Sequence, residues 1–306
     1  MGVLLTVAVI ALASASGVAA ELRWRDRAGA AARAALRASL YTLLPFVTFF
    51  NLARLDLDVN VGVGILLGYV TLAAVSLLAW WAARALKLPP ASAGALIVCV
   101  LISNSGYLGY PLCASLLGFD SLGQAVAYDI LVSAPALLLG GFAVGAAFGE
   151  SAGEGARERT TAFFTRNPPL YAAIAALLAP DALAPDVLVD ASRVAVIGLL
   201  PIGFFAVGAI LAEEAEEGYL TLGNPLRPPV SVAILLRLVV APALLFVLAL
   251  PLIDLPDPYL LLAAMPSGIN TLLVGHVYGL DLRLSAQAVA WSTAVVVVAA
   301  VGSLAV

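Results

Sequence analysis

Two stretches decide how this chain is read: Asn104-Ser105-Gly106-Tyr107-Leu108-Gly109-Tyr110-Pro111 and Met265-Pro266-Ser267-Gly268-Ile269-Asn270. Each interrupts a long apolar segment near its middle with glycine, proline and asparagine. An unsatisfied backbone group costs several kcal/mol in lipid, so such breaks persist only inside protein or along a watery cavity. A pair of interrupted spans, one in each half of a chain, is the sequence mark of a transport-type binding site.

The surrounding composition fits a membrane setting. Hydrophobic residues make up 63% of the 306 residues and charged residues only 11%, with a mean hydropathy of +1.06. No water-soluble globular domain carries that balance. Runs of about 20 apolar residues predict ten spans, at 2–20, 38–53, 60–85, 92–118, 122–148, 168–184, 190–212, 229–251, 257–280 and 283–305. The fold class expected is therefore an all-α polytopic membrane protein.

Charge placement sets the expected orientation, because Lys and Arg accumulate in cytoplasmic loops. Arg23, Arg25, Arg27, Arg33 and Arg37 follow the first span, Arg84 and Lys87 the third, and Arg157, Arg159 and Arg166 the fifth. Arg227 and Arg283 follow the seventh and ninth. The alternate loops hold Arg54 and Arg193 against seven aspartates: Asp56, Asp58, Asp120, Asp181, Asp186, Asp254 and Asp257. Both termini are expected outside the cytoplasm, in a multi-pass protein of the cell membrane. Gly2–Ala20 lacks the basic leader of a cleaved signal, so it is read as a retained first span. The net charge of −4 carries no basic stripe and excludes a nucleic-acid role. Cys99 and Cys113 have neither disulfide-framework nor zinc spacing and read as apolar filler.

The longest polar connection, Gly149 to Asn167, divides the chain after an odd number of spans. The second half then enters the membrane with opposite orientation, an inverted repeat. The expected organisation is a first five-helix repeat at 1–150, a cytoplasmic linker at 151–166 and a second repeat at 167–306. Leu43-Leu44-Pro45 with Phe49-Phe50 matches Leu199-Leu200-Pro201 with Phe204-Phe205, the prolines lying about 156 residues apart. Pro111 and Pro266 lie about 155 apart and suggest the same register.

Proline lacks an amide hydrogen and clashes with the carbonyl four residues earlier, while glycine adds no restraint. Gly106, Gly109 and Pro111 are therefore expected to break the fourth span, and Pro266 and Gly268 the ninth. If the breaks meet, half-helix N-termini and free carbonyls converge on one point suited to an anion or a small cation. Asn104, Ser105, Pro111, Pro266, Ser267, Gly268 and Asn270 are the candidate substrate-binding residues. A lone intramembrane proline is ordinarily a kink, the reading given to Pro45, Pro135, Pro201 and Pro242. Asn104 and Asn270 have an alternative as amides joining two helices. Asp129 and Arg237 each lie about eight residues into a span, roughly 12 Å deep, and are candidates for a proton or gating role, either as a pair or acting separately. Snorkelling to the headgroups is the alternative for Arg237. His276 reads as interfacial, and Glu213, Glu214, Glu216 and Glu217 as a solvated extension.

Asn104 to Pro111 with Leu112 and Gly118, the span Leu199 to Glu213, and Met265 to Gly279 resemble the auxin efflux carrier family, which includes plant PIN-type exporters and prokaryotic permeases. Asn167-Pro168 is similar to the start of that family's sixth helix. The resemblance reaches from the second span to the last. It implies ten helices arranged five plus five, with a scaffold part and a transport part whose helices 4 and 9 cross at prolines, a fold similar to bile-acid symporters and sodium/proton antiporters. It also implies that Asn104 and Pro111 help hold a substrate carboxylate. The chain departs from the plant carriers at Asn270, where they have an apolar residue, and lacks their long cytoplasmic loop.

The function expected is secondary transport, by export, of a small organic anion such as a carboxylate, with alternating access around the crossover and a homodimer formed through the scaffold. A sodium-coupled symporter with crossover carbonyls and Asn270 on the cation, and a ligand sensor that moves nothing, are the rivals. No metal cluster, GxSxG or paired catalytic carboxylates suggest an enzyme, and no cofactor or metal is expected.

Overall fold

The computed structural model describes residues 2–55, 58–149, 161, 167–219 and 227–302. The linker expected at 151–166 lies, except for Thr161, outside the described residues. Among the described residues every regular element is helical: α1 (Val3–Trp24), α2 (Asp26–Tyr41), α3 (Leu43–Leu52), α4 (Val59–Ala85), α5 (Pro90–Leu101), α6 (Tyr110–Leu116), α7 (Leu122–Tyr128), α8 (Phe142–Phe148), α9 (Pro168–Leu178), α10 (Asp186–Glu216), α11 (Pro228–Leu235), α12 (Ala241–Ala249), α13 (Asp257–Ala263), α14 (Asn270–Tyr278) and α15 (Leu282–Gly302). Single π-helical turns at Ser105–Gly109, Asp129–Ser133, Ala136–Gly141 and Leu236–Val240 link several of them. Among the described residues, seven helical stretches are long and apolar enough to cross a membrane: Leu4–Trp24, Arg27–Leu52, Val59–Ala85, Phe119–Phe148, Asp186–Glu216, Pro228–Ala249 and Leu282–Gly302. The protein is a multi-pass, all-helical membrane protein.

Local sequence places the helix ends. The Asp58 carboxylate accepts from the Val61 amide at 2.8 Å and caps α4, and the Asn167 side chain caps α9 ahead of Pro168. Both satisfy amides that have no intrahelical partner. Pro90 and Pro228 open α5 and α11, where the missing amide hydrogen costs nothing. Gly279, at φ 70°, ends α14 in the left-handed conformation that glycine adopts without strain.

The second span differs from expectation. It begins near residue 26 and not 38, so Arg27, Arg33 and Arg37 lie on a helix and not in a loop. Alanine supplies nearly half of Asp26–Tyr41 and is the strongest helix former. The Arg33 guanidinium reaches Glu213 of α10 at 2.8 Å, so a charged residue counted as loop is tied to a neighbouring helix. The sixth span is shorter than expected and stops at Leu178, just before Pro180.

Helices pack in two groups. α1 lies along α10, and α3 lies along α9, forming one group with α2. α4, α5, α8, α11, α12, α13, α14 and α15 form the other. The second group encloses α5 so closely that every residue from Ala93 to Ile102 is buried. The large exposed apolar side chains, such as Leu12, Leu178, Val187 and Val298, face outward from the bundle as lipid contacts would require.

Backbone approach between α1 and α10 depends on glycine. A Cβ at Gly17 would meet the Phe205 carbonyl and the Ala209 amide, and one at Gly208 would meet the Ser14 carbonyl and Cα. Close approach through small residues is how helices gain packing energy in lipid. Gly208→Leu is expected to cost about 1–3 kcal/mol or more through overpacking. It should lower the melting temperature of the detergent-purified protein. Gly198→Leu on the same helix, where a Cβ meets nothing within 4 Å, should leave it unchanged.

Candidate functional site

The two interrupted segments meet. Beyond Leu101 the chain turns extended at Ile102, with φ −96° and ψ 116°, and passes through Ser103 and Asn104 before the π-helical turn. Residues 264–269 separate α13 from α14. Ser103 and Ser267 form an isolated antiparallel bridge. The Gly268 amide donates to the Ile102 carbonyl at 2.9 Å, and the Asn104 amide donates to the Pro266 carbonyl at 2.9 Å. Ser267 is engaged as well: its amide donates to Ser292 Oγ at 3.2 Å, and its Oγ donates to the Cys99 carbonyl at 2.7 Å. Unwound backbone is thus satisfied across the breaks, as a membrane interior demands.

The bridge has its own register. Exchanging 102–104 with 266–268 maps one hydrogen bond onto the other, an offset of about 164 residues. Pro111 and Pro266, about 155 apart, do not face each other across this bridge. Pro266 lies in the extended break, whereas Pro111 is the second residue of α6. The π-helical turn ahead of Pro111 absorbs the hydrogen bond its ring would otherwise disrupt. Gly106 and Gly109 fall within that turn, past the extended residues. Gly109 is needed for proximity, because a Cβ there would meet Leu262 Cδ2 and, at 3.3 Å, Met265 Cγ.

The two asparagines have different surroundings. Asn104 is 6% exposed, and among the described residues its side-chain amide makes no hydrogen bond. Asn270 is half-buried at the first turn of α14, also with no side-chain hydrogen bond among the described residues.

Asp129 and Arg237 do not pair. Asp129 accepts from Ser105 Oγ and, at 2.6 Å, from the fully buried Tyr110 hydroxyl, which ties its carboxylate to the fourth-span break. Arg237 is 2% exposed and does not snorkel. Its Nε donates to the Met265 carbonyl at 2.8 Å, Nη1 to Val100 at 3.2 Å and Nη2 to Leu262 at 3.3 Å. Each of these residues sits on a π-helical turn, a local widening frequent at functional sites.

Glu214 is a correction. It is 2% exposed and its carboxylate accepts from His276 Nε2 at 2.7 Å, so it is no part of a solvated extension. The signal was present in the seven-residue step Leu200, Val207, Glu214, which continues a buried helix face. Tyr110 and Ser292 were not legible as site residues, because an apolar-looking span gives no clue to which hydroxyl faces a carboxylate 19 residues away.

A polytopic helical bundle with two interrupted spans joined backbone to backbone belongs to the broken-helix class of membrane proteins. Residues 164–302 match the family described as membrane transport protein, that of the PIN-like auxin efflux proteins. Over 212 residues the chain is 26% identical to the uncharacterized transporter MJ1031 of Methanocaldococcus jannaschii. The alignment covers 66% of this chain and 65% of that relative, a little under two thirds of its length.

Gly268 tests the bridge. A Cβ there would sit 2.9 Å from the Ser103 carbonyl oxygen and 3.1 Å from its carbon. Gly268→Val is expected to part the two strands and lower the melting temperature, by about 1–3 kcal/mol of stability. Gly106→Ala, whose Cβ would meet nothing closer than 3.9 Å, should retain it.

Proposed function

We propose that this chain is a secondary transporter that exports a small organic anion such as a carboxylate, by alternating access around the paired breaks. The observation that carries the reading is the buried, unpartnered Asn104 side chain beside a backbone bridge and near a cation with no carboxylate partner among the described residues. Asn104, Ser105, Pro111, Pro266, Ser267, Gly268 and Asn270 line the proposed substrate site. The matched family and the relative's name favour transport over catalysis.

The architecture proposed is ten spans in two inverted five-helix repeats, 1–150 and 167–306. The broken α5/α6 and α13/α14 pairs count as the fourth and ninth spans. Packing supports it, since partners exchange when the halves are swapped: α1 on α10 as α9 on α3, α4 on α5 as α12 on α13, and α5 on α15 as α13 on α7. α1, α2, α3, α9 and α10 then serve as scaffold and carry a homodimer contact, while the other helices rock or slide past them. Both termini lie outside the cytoplasm, and the protein resides in the cell membrane.

Asn104→Ala tests the site. A panel of small mono- and dicarboxylates should contain members that raise the wild-type melting temperature. The variant should keep the ligand-free value and bind those members about ten- to a hundredfold more weakly, the loss expected for a hydrogen bond to a charged group. Wild-type flux of the best carboxylate by this variant in proteoliposomes would remove Asn104 from the site.

Asp129 is proposed to carry or relay a proton, its carboxylate held by Ser105 and Tyr110. Asp129→Asn keeps the shape but has no titrating group. Carboxylate flux by this variant should vary less between acidic and neutral pH than wild-type flux does. An unchanged pH profile would leave Asp129 a structural role only.

A further inference from the structure

Arg237 combines three features that the transport reading leaves unexplained. Its guanidinium is buried, it lies within 4.0 Å of no carboxylate among the described residues, and all three of its nitrogens donate to main-chain carbonyls. Those carbonyls come from both breaks. Val100 lies in the last turn of α5, Leu262 in the last turn of α13, and Met265 just beyond it. The C-terminal ends of two half-helices, each carrying partial negative charge, therefore converge on one cation. Unwound carbonyls and half-helix C-termini in this arrangement are the ligand set that a coupling sodium or potassium ion uses in broken-helix proteins.

We infer that Arg237 is a built-in cation: its guanidinium fills the carbonyl cage of the paired breaks, so the site holds together without a bound alkali-metal ion. A guanidinium offers five donors in a fixed fork and remains charged. A tethered ion of this kind cannot dissociate during a transport cycle. It keeps both half-helix ends neutralised in every conformation and leaves positive charge at the place where an anion would dock. The inference deepens the proposed function by arguing against sodium coupling, and it rests on that reading only for the charge offered to substrate. The filling of the cage stands on the geometry alone.

The test needs no substrate. The full-length protein, purified in detergent, is melted at constant ionic strength in sodium, potassium or choline chloride. Wild-type protein should melt at the same temperature in all three, and stabilisation by sodium or potassium over choline would overturn the inference. Arg237→Met leaves the Met265 and Val100 carbonyls without their side-chain donor and the Leu262 carbonyl with the Met265 amide alone. It should melt several degrees lower in choline and recover part of the loss as sodium or potassium is added. A variant as stable as wild type and indifferent to the ion would show that the carbonyls need no cation, which also overturns the inference. If the methionine variant does not fold, Arg237→Lys should melt below wild type yet remain indifferent to the ion, and stabilisation of that variant by sodium would count against the inference. Because every readout is ligand-free, a failed carboxylate screen and a failed cage are separate results.

Discussion

Two main-chain hydrogen bonds, Gly268 to Ile102 and Asn104 to Pro266, are the constraint on which the rest of the structure depends. In lipid, a helix satisfies its own backbone and an interruption does not. The cheapest partner for one interruption is another. Joining two breaks as a short antiparallel bridge requires their spans to cross closely, and this sets what must surround them. Gly109 and Gly268 lack side chains where Cβ atoms would strike the opposite segment. Ser267 and Ser292 take up polar groups that the bridge leaves over. α5 is enclosed by neighbours from Ala93 to its end.

A crossing of this kind brings helix ends together as well as strands, and the charges follow from that. C-terminal carbonyls of α5 and α13 converge and attract a cation, supplied by Arg237. On the other side of the fourth-span break, the Asp129 carboxylate is held by two hydroxyls and not by the arginine. Keeping the two charges on separate partners prevents an internal ion pair from consuming both. The arginine is spent on backbone, the aspartate on hydroxyls, and the Asn104 side chain is left open.

Among the described residues, the ion pairs between the two helix groups lie toward the rims. His276 of α14 meets Glu214 of α10 at one end, and Arg193 of α10 meets Asp120 at the other. Exposed pairs of the second kind contribute little to stability and break readily. The buried Glu214 is different, because separation from His276 would strand a carboxylate away from water. Motion of one group against the other thus meets unequal resistance at the two rims.

Composition and apolar run length by themselves determined a multi-pass helical membrane protein, because the bilayer imposes both an apolar surface and a minimum span. Glycine and proline spacing marked the two breaks, since those residues act locally on their own backbone. Amide- and charge-bearing residues near them, Asn104, Asp129 and Arg237, were legible for the same reason: such groups are rare in lipid and stand out. Tertiary structure alone decided how they are joined. Pro111 looked like the pivot, yet the extended residues lie ahead of it, because a π-helical turn absorbed the proline. The bridge joins 102–104 to 266–268, ahead of Pro111, and a hydrogen bond between distant backbones leaves no trace in side-chain identity. Whether Arg237 reached the headgroups, met Asp129 or capped carbonyls depended on which helices surrounded it, and that is a property of packing that no linear pattern encodes.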